Sequence, residues 1–118
     1  MNSPVPLLRV RVQMRESLGG SRALGDRNYW PHLVVGSPNQ REPVIGPDNT
    51  LLEKYLGVCV WSGPAELHPG EEAELEVALP YPPGTYSELS PGATFTIREG
   101  SKIVGSGLVL SHAGHTSA

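Results

Sequence analysis

Glycine and proline punctuate this chain so closely that no stretch has room for a long helix. What lies between them alternates with period two. In "LLRVRVQMR", residues 7–15, Leu8, Val10, Val12 and Met14 fall on one side, and Arg9, Arg11, Gln13 and Arg15 on the other. Period two means a strand with one face buried and one wet. The same rhythm returns in "AELEVAL", residues 73–79, where Leu75, Val77 and Leu79 point inward and Glu74 and Glu76 outward. "YWPHLVVG" (29–36), "YLGVCVWSG" (55–63), "TFTIRE" (94–99) and "KIVGSGLVLS" (102–111) complete the strand candidates. Pro31 suits a strand edge or the start of a strand, because it has no N–H for a ladder. Loops are expected at 16–28, 37–50 and 81–93, with a tight turn at His68-Pro69-Gly70-Glu71. "LLEKY", 51–55, has the composition of a helical turn, and "HAGHTSA", 112–118, that of a frayed tail.

Short strands separated by turns, without a convincing helix, indicate an all-β fold. The expectation is a six-stranded antiparallel β-barrel, since closure removes the exposed edges a small sheet must otherwise protect. Residues 1–118 form one domain, with its core in 7–110 and a flexible tail at 111–118. Leu8, Val10, Val12, Val58, Val60, Leu75, Val77, Phe95 and Ile97 are expected to face inward.

The stretch "TIREGSKIVGSG", 96–107, tests whether its glycines cradle a phosphate. A phosphate loop needs a Lys-Ser/Thr pair and a helix whose N-terminus faces the anion. Here Gly105 and Gly107 sit inside an apolar, β-branched run. A hairpin turning at Glu99-Gly100-Ser101 accounts for it better. The two glycines then share one face, where a neighbouring strand or side chain can approach closely.

The hairpin "FTIREGSKIVGSGLVL" resembles the last hairpin of the C-terminal β-barrel domain of the elongation factor Tu family, with its Arg-Glu-Gly turn and a Val-Gly-x-Gly strand. "HPGEEAELEVALPYP" is similar to the family's Pro-Gly-acid turn and following strand. "LGGSRALGDRNYWPHLVV" is similar to its Gly-Gly loop and Tyr-x-Pro-Gln motif. The resemblance spans most of 7–110, with insertions near 38–52 and 84–90. It implies the same barrel. In the family, Glu-Gly of the last turn lies against the T-stem of aminoacyl-tRNA, and the Gly-Gly loop faces the GTPase domain, as does the strand before the last turn. By resemblance, Glu99 and Gly100 are RNA-binding candidates. Gly19, Gly20, Arg22, Tyr29, Trp30 and Thr96 are partner-binding candidates. Departures are plain: Trp30 replaces an Arg, His32 replaces a Gln, and Ser21-Arg22 stands where the family has Arg-His. Only Glu99-Gly100 and Gly19-Gly20 transfer cleanly. Neither G-x-x-x-x-G-K-[ST] nor Asn-Lys-x-Asp occurs, so no nucleotide is expected.

A barrel that resembles one normally docked on a GTPase domain is expected to find a protein partner in trans. The leading expectation is a non-catalytic binding module. The alternative is an RNA- or tRNA-binding accessory of translation, using Glu99-Gly100 and the Arg-rich first strand. Charge disfavours RNA. The chain carries 9 basic and 12 acidic residues, net −3, and lacks a strongly basic footprint. The acids from Glu66 to Glu88 read as a solvated strand face. Trp30, Tyr29 and Trp61 are either core aromatics or an interface anchor. His112-x-x-His115 lies in the expected tail and His32 in a strand, so no metal is assigned. The lone Cys59 has no neighbouring base and forms no internal disulfide, so neither a catalyst nor a cofactor is expected. The N-terminal "MNSPVPLLRV" lacks a signal-peptide pattern, and no apolar run reaches membrane-spanning length. A cytoplasmic protein is the expectation.

Overall fold

The computed structural model describes residues 4–24, 27–47 and 53–116. Its elements are β1 (Pro6–Met14), β2 (Arg22–Ala23), β3 (His32–Val35), β4 (Leu56–Gly57), β5 (Cys59–Ser62), β6 (Glu66–Leu67), β7 (Glu72–Ala78), a short 3₁₀ helix (Pro83–Tyr86), β8 (Thr94–Glu99) and β9 (Lys102–His115). The chain is all-β. The main sheet is antiparallel, in the order β4-β3-β8-β9-β1-β7-β5, and β2 and β6 form a separate two-stranded ribbon. No helix among the described residues is long and apolar enough to cross a membrane.

Alternation becomes layering where β1 meets β7. Val10 lies opposite Leu75 and Leu8 opposite Val77, while Arg9 lies opposite Glu76 and Arg11 opposite Glu74. The apolar pairs point into the core. The charged pairs stay outside, where Arg9–Glu76 is 3.4 Å and Arg11 reaches both Glu72 and Glu74 at 3.7 Å. The magnitudes say which face holds the sheet. A buried aliphatic side chain contributes roughly 1.5–3 kcal/mol, an exposed ion pair about 0.2–1 kcal/mol. All the side chains expected inward, from Leu8 to Ile97, are buried in one core cluster. Leu18, Leu24 and Leu89 join it from connecting segments, Leu67 from β6 and Tyr86 from the 3₁₀ helix.

Gly105 and Gly107 carry out the close approach their spacing suggested. β9 lies between β1 and β8, and Phe95 sits opposite Gly107. A Cβ at Gly107 would lie 2.5 Å from Phe95 Cζ and 2.6 Å from the Arg11 carbonyl oxygen. A Cβ at Gly105 would lie 2.8 Å from the Gln13 oxygen. The ring of Phe95 occupies the volume the glycine leaves.

The sheet curls around its core as a half-barrel. Its two terminal strands, β4 and β5, are consecutive in the chain, with only Val58 between them. β4 pairs with β3, and β5 with β7. Val58 N–H also donates to Pro31 O at 3.1 Å and Val60 N–H to Tyr29 O at 3.0 Å. The main sheet thus has seven strands where six were expected, because segment 56–62 divides at Val58 into two short ladders.

Two expectations are corrected. The tail expected to be flexible from 111 is strand as far as His115. It pairs with Pro6, Leu8 and Arg9 of β1. Thr116 N–H donates to Val5 O at 2.9 Å, the Thr116 hydroxyl accepts from Val5 N–H at 3.0 Å, and Ala113 packs beside Leu7 and Ala78. The helical turn expected at 51–55 lies partly outside the described residues, and Glu53–Tyr55 are not helical.

Candidate interaction surface

The two candidate sites read from the sequence meet at one carboxylate. Arg22 on β2 grips Glu99 with both ends of its guanidinium, Nε to Oε2 at 2.6 Å and the second nitrogen to Oε1 at 2.8 Å. The Tyr29 hydroxyl donates to Glu99 Oε2 at 2.6 Å, and Arg22 also donates to Gly20 O at 3.1 Å. Hydrogen bonding to Arg22 holds the Glu99 carboxyl below the ordinary glutamate range. Burial, with the neighbouring carboxylate, raises the Tyr29 phenol. The Arg22 guanidinium is stabilised chiefly by its bond to Glu99. The arrangement is a strap that ties the Gly-Gly loop to the last hairpin. Gly19 and Gly20 are exposed, with φ of +78° and +148°, and Gly100 turns the hairpin at +60°.

Thr96 stands apart. Its side chain is buried beneath the outer face of β8, and its hydroxyl accepts from Arg98 Nε at 2.9 Å. The expectation that it faces a partner is corrected. β8 is covered on both sides, so four consecutive residues from Phe95 to Arg98 are buried.

Trp30 lies at the surface, 58 % exposed, its indole N–H donating to Arg27 O at 3.2 Å. Tyr29, Pro31 and Leu33 line the interior, so Trp30 and His32 point outward by alternation. Beside them Tyr81, also 58 % exposed, lies over Gly57. A Cβ there would meet Tyr81 Cε2 at 3.0 Å and the His32 ring at 3.7 Å. The His32 and Tyr55 ring centroids are 5.7 Å apart. Val44 and Ile45 are half exposed, and Val44 N–H donates to Glu53, the residue that holds Arg98 under Tyr55. Trp30, Val44, Ile45 and Tyr81 are the exposed large apolar side chains among the described residues, and Tyr81 lies with His32 beside Gly57 of β4.

A buried ion pair fixes that loop. Arg98, with no exposed surface, donates to Glu53 Oε1 at 2.8 Å and Oε2 at 2.9 Å, and to the Tyr55 hydroxyl at 3.0 Å. Glu53 also accepts from Gln40 Nε2 at 2.6 Å and Val44 N–H at 3.1 Å. Hydrogen bonding to Arg98, helped by Gln40 and Val44, brings the Glu53 pKa down to about 2. Arg15 adds a bond to Gln40 O at 2.7 Å. The segment around 40–44, which carries Val44, is thus pinned from below.

Sequence reasoning missed His32, Tyr55 and Tyr81 as surface aromatics, and the Arg98–Glu53 pair altogether. One signal was available. In "TFTIRE", alternation sends Thr96 and Arg98 to the side opposite Phe95 and Ile97, where an arginine beside a long loop has a covering partner within reach. The acidic face of β7, expected to be solvated, lies outside, where Glu72, Glu74 and Glu76 pair with Arg9 and Arg11, and Lys54 pairs with Glu88 at 3.1 Å. Cys59 is buried with Leu7 and Ala78, and burial pushes its thiol up. His112 and His115 sit on β9, and no group of three or more metal-ligating side chains gathers among the described residues. Comparison with protein-family models and with curated proteins finds no match.

Proposed function

We propose that this chain is a non-catalytic binding module that engages a protein partner through the outer face carrying Trp30, His32 and Tyr81. The observation that supports it is that Trp30, His32 and Tyr81 are exposed, with His32 and Tyr81 side by side at Gly57. Partly exposed Trp and Tyr rings are the side chains that most often anchor interfaces. Tyr55, next to the His32 ring, is held by the buried Arg98, so this part of the surface is set before binding and less ordering entropy opposes association.

The fold reading belongs with this proposal. Counted as one strand, segment 56–62 lies between β3 and β7 and closes a six-stranded barrel, of the kind the resemblance to the elongation factor Tu C-terminal domain implies. In that picture the side that in the elongation factor Tu family faces a GTPase domain receives a protein partner here. The module needs neither nucleotide nor metal, and works in the cytoplasm. The RNA-binding alternative has less support. The arginines of β1 that would contact phosphates are neutralised by Glu72, Glu74 and Glu76, and Glu99 is occupied by Arg22 and Tyr29.

The test is affinity capture with the wild-type chain and with Trp30→Ala, using nuclease-treated and untreated lysate, followed by identification of the bound protein and of any RNA. A protein retained by wild type through nuclease treatment, and lost with the variant, supports the proposal. Retention that depends on RNA and ignores Trp30 contradicts it.

A further inference from the structure

Among the described residues, most cations have a carboxylate or aromatic partner. Arg9, Arg11, Arg22, Lys54 and Arg98 are ion-paired. Arg27 stacks on Trp61 at 3.9 Å from the ring centroid, and Lys102 lies opposite Glu99 across the last hairpin. That leaves Arg15, which bonds to the Gln40 carbonyl, and Arg41. Both line the same open cleft of about 620 Å³, between the turn after β1, the loop at 38–41 and the middle of β9.

Arg15 and Arg41 share the cleft lining with a single carboxylate, Glu16, so the lining carries an excess positive charge that favours an anion. Arg15 is half-buried and held by its bond to Gln40 O, so part of its ordering cost is met before a ligand arrives. Arg41 is exposed. Ser17, Asn39 and Ser106 line the same space and supply hydroxyl and amide donors. The planar fork of arginine matches phosphate oxygens two at a time. Glu16 also lines the cleft. Its negative charge opposes a long polyanion, and its oxygens can accept from the hydroxyls of a small ligand.

We propose that this cleft is a binding site for a phosphate group carried by a small molecule, seated between Arg15 and Arg41. The site is separate from the aromatic face and does not depend on the partner-binding reading.

Calorimetric titration with sodium phosphate and with glycerol 3-phosphate, against sodium chloride at equal ionic strength, tests it. The expected result is saturable binding at one site for a phosphate probe, weakened about tenfold or more by Arg41→Gln. Because Arg41 is exposed and bonds to no described residue, that variant should melt with wild type; Arg15→Gln should weaken binding too. Tighter binding of glycerol 3-phosphate than of phosphate identifies an organic phosphoester, and equal binding identifies free phosphate; both support the site. Heat no different from chloride, or an unchanged affinity in folded Arg41→Gln, overturns it. So does a single-stranded RNA oligonucleotide that binds more tightly than either probe with a steep salt dependence, because that marks a polyanion surface.

Discussion

Arg98 and Glu53 lie 45 residues apart and meet in a two-pronged ion pair, at 2.8 and 2.9 Å, under the loop that carries Val44. Each group has further partners, so the pair is satisfied as well as buried. Its chief effect is on position. It fixes the loop against β8.

Removing one partner leaves the other as an uncompensated buried charge. Arg98→Ala or Glu53→Ala is expected to cost about 3–5 kcal/mol. A denaturant titration of each variant measures it, and a cost below about 1 kcal/mol would show that the pair is solvated. Acid titration gives a second readout. The folded-state pKa of Glu53 is depressed to about 2 from an ordinary 4.5. Its contribution is fully present above the unfolded value and is lost as pH falls from about 4.5 to 2. Wild type should therefore lose more stability across that window than Glu53→Gln does.

The strap at Glu99 is more exposed and correspondingly weaker. Arg22→Ala should cost about 1–2 kcal/mol, in the range of charge-assisted hydrogen bonds at a half-buried site. It should also speed amide exchange in the loop around Gly19 and Gly20 while leaving β1 and β7 protected. Uniform loss of protection across the sheet would mean that the strap holds more than the loop.

Glycine positions separate close approach from turn geometry. Gly107→Ala drives a methyl into Phe95 and the Arg11 carbonyl, and a backbone carbonyl cannot move aside cheaply. Expected destabilisation is at least about 3 kcal/mol, the upper end for overpacking. At Gly19, where nothing lies within 4 Å and φ is +78°, alanine should cost only about 1–2 kcal/mol of backbone strain. Equal melting of the two variants would contradict the packing of β9 between its neighbours.

β1 and β7 were legible in the sequence because each has one dry and one wet face, and the period of two records that directly. β8 was half legible. Phe95 and Ile97 read as core, but the burial of Thr96 and Arg98 was not legible, because Glu53 and Tyr55, which cover Arg98, come from far away in the chain. The C-terminal stretch misled for a related reason. "HAGH" has little apolar content, yet β1 supplies the ladder and Val5 the bonds to Thr116, none of which local composition records. At the candidate site, Arg22, Tyr29, Trp30 and Glu99 were named, but their grouping was not. Glu99 joins Arg22 and Tyr29 and leaves Trp30 on the outside, which only the three-dimensional register decides.

The binding reading rests on Trp30 and Tyr81 being surface anchors and not core. The decisive measurement combines a melting curve and partner capture on three proteins: wild type, Trp30→Ala with Tyr81→Ala, and a control, Arg11→Ala, on the outer face of β1. The double variant should melt within a few degrees of wild type and lose about 2 kcal/mol or more of partner affinity, roughly thirtyfold, while the control keeps it. A folded double variant that holds the same partner at wild-type affinity would contradict the account.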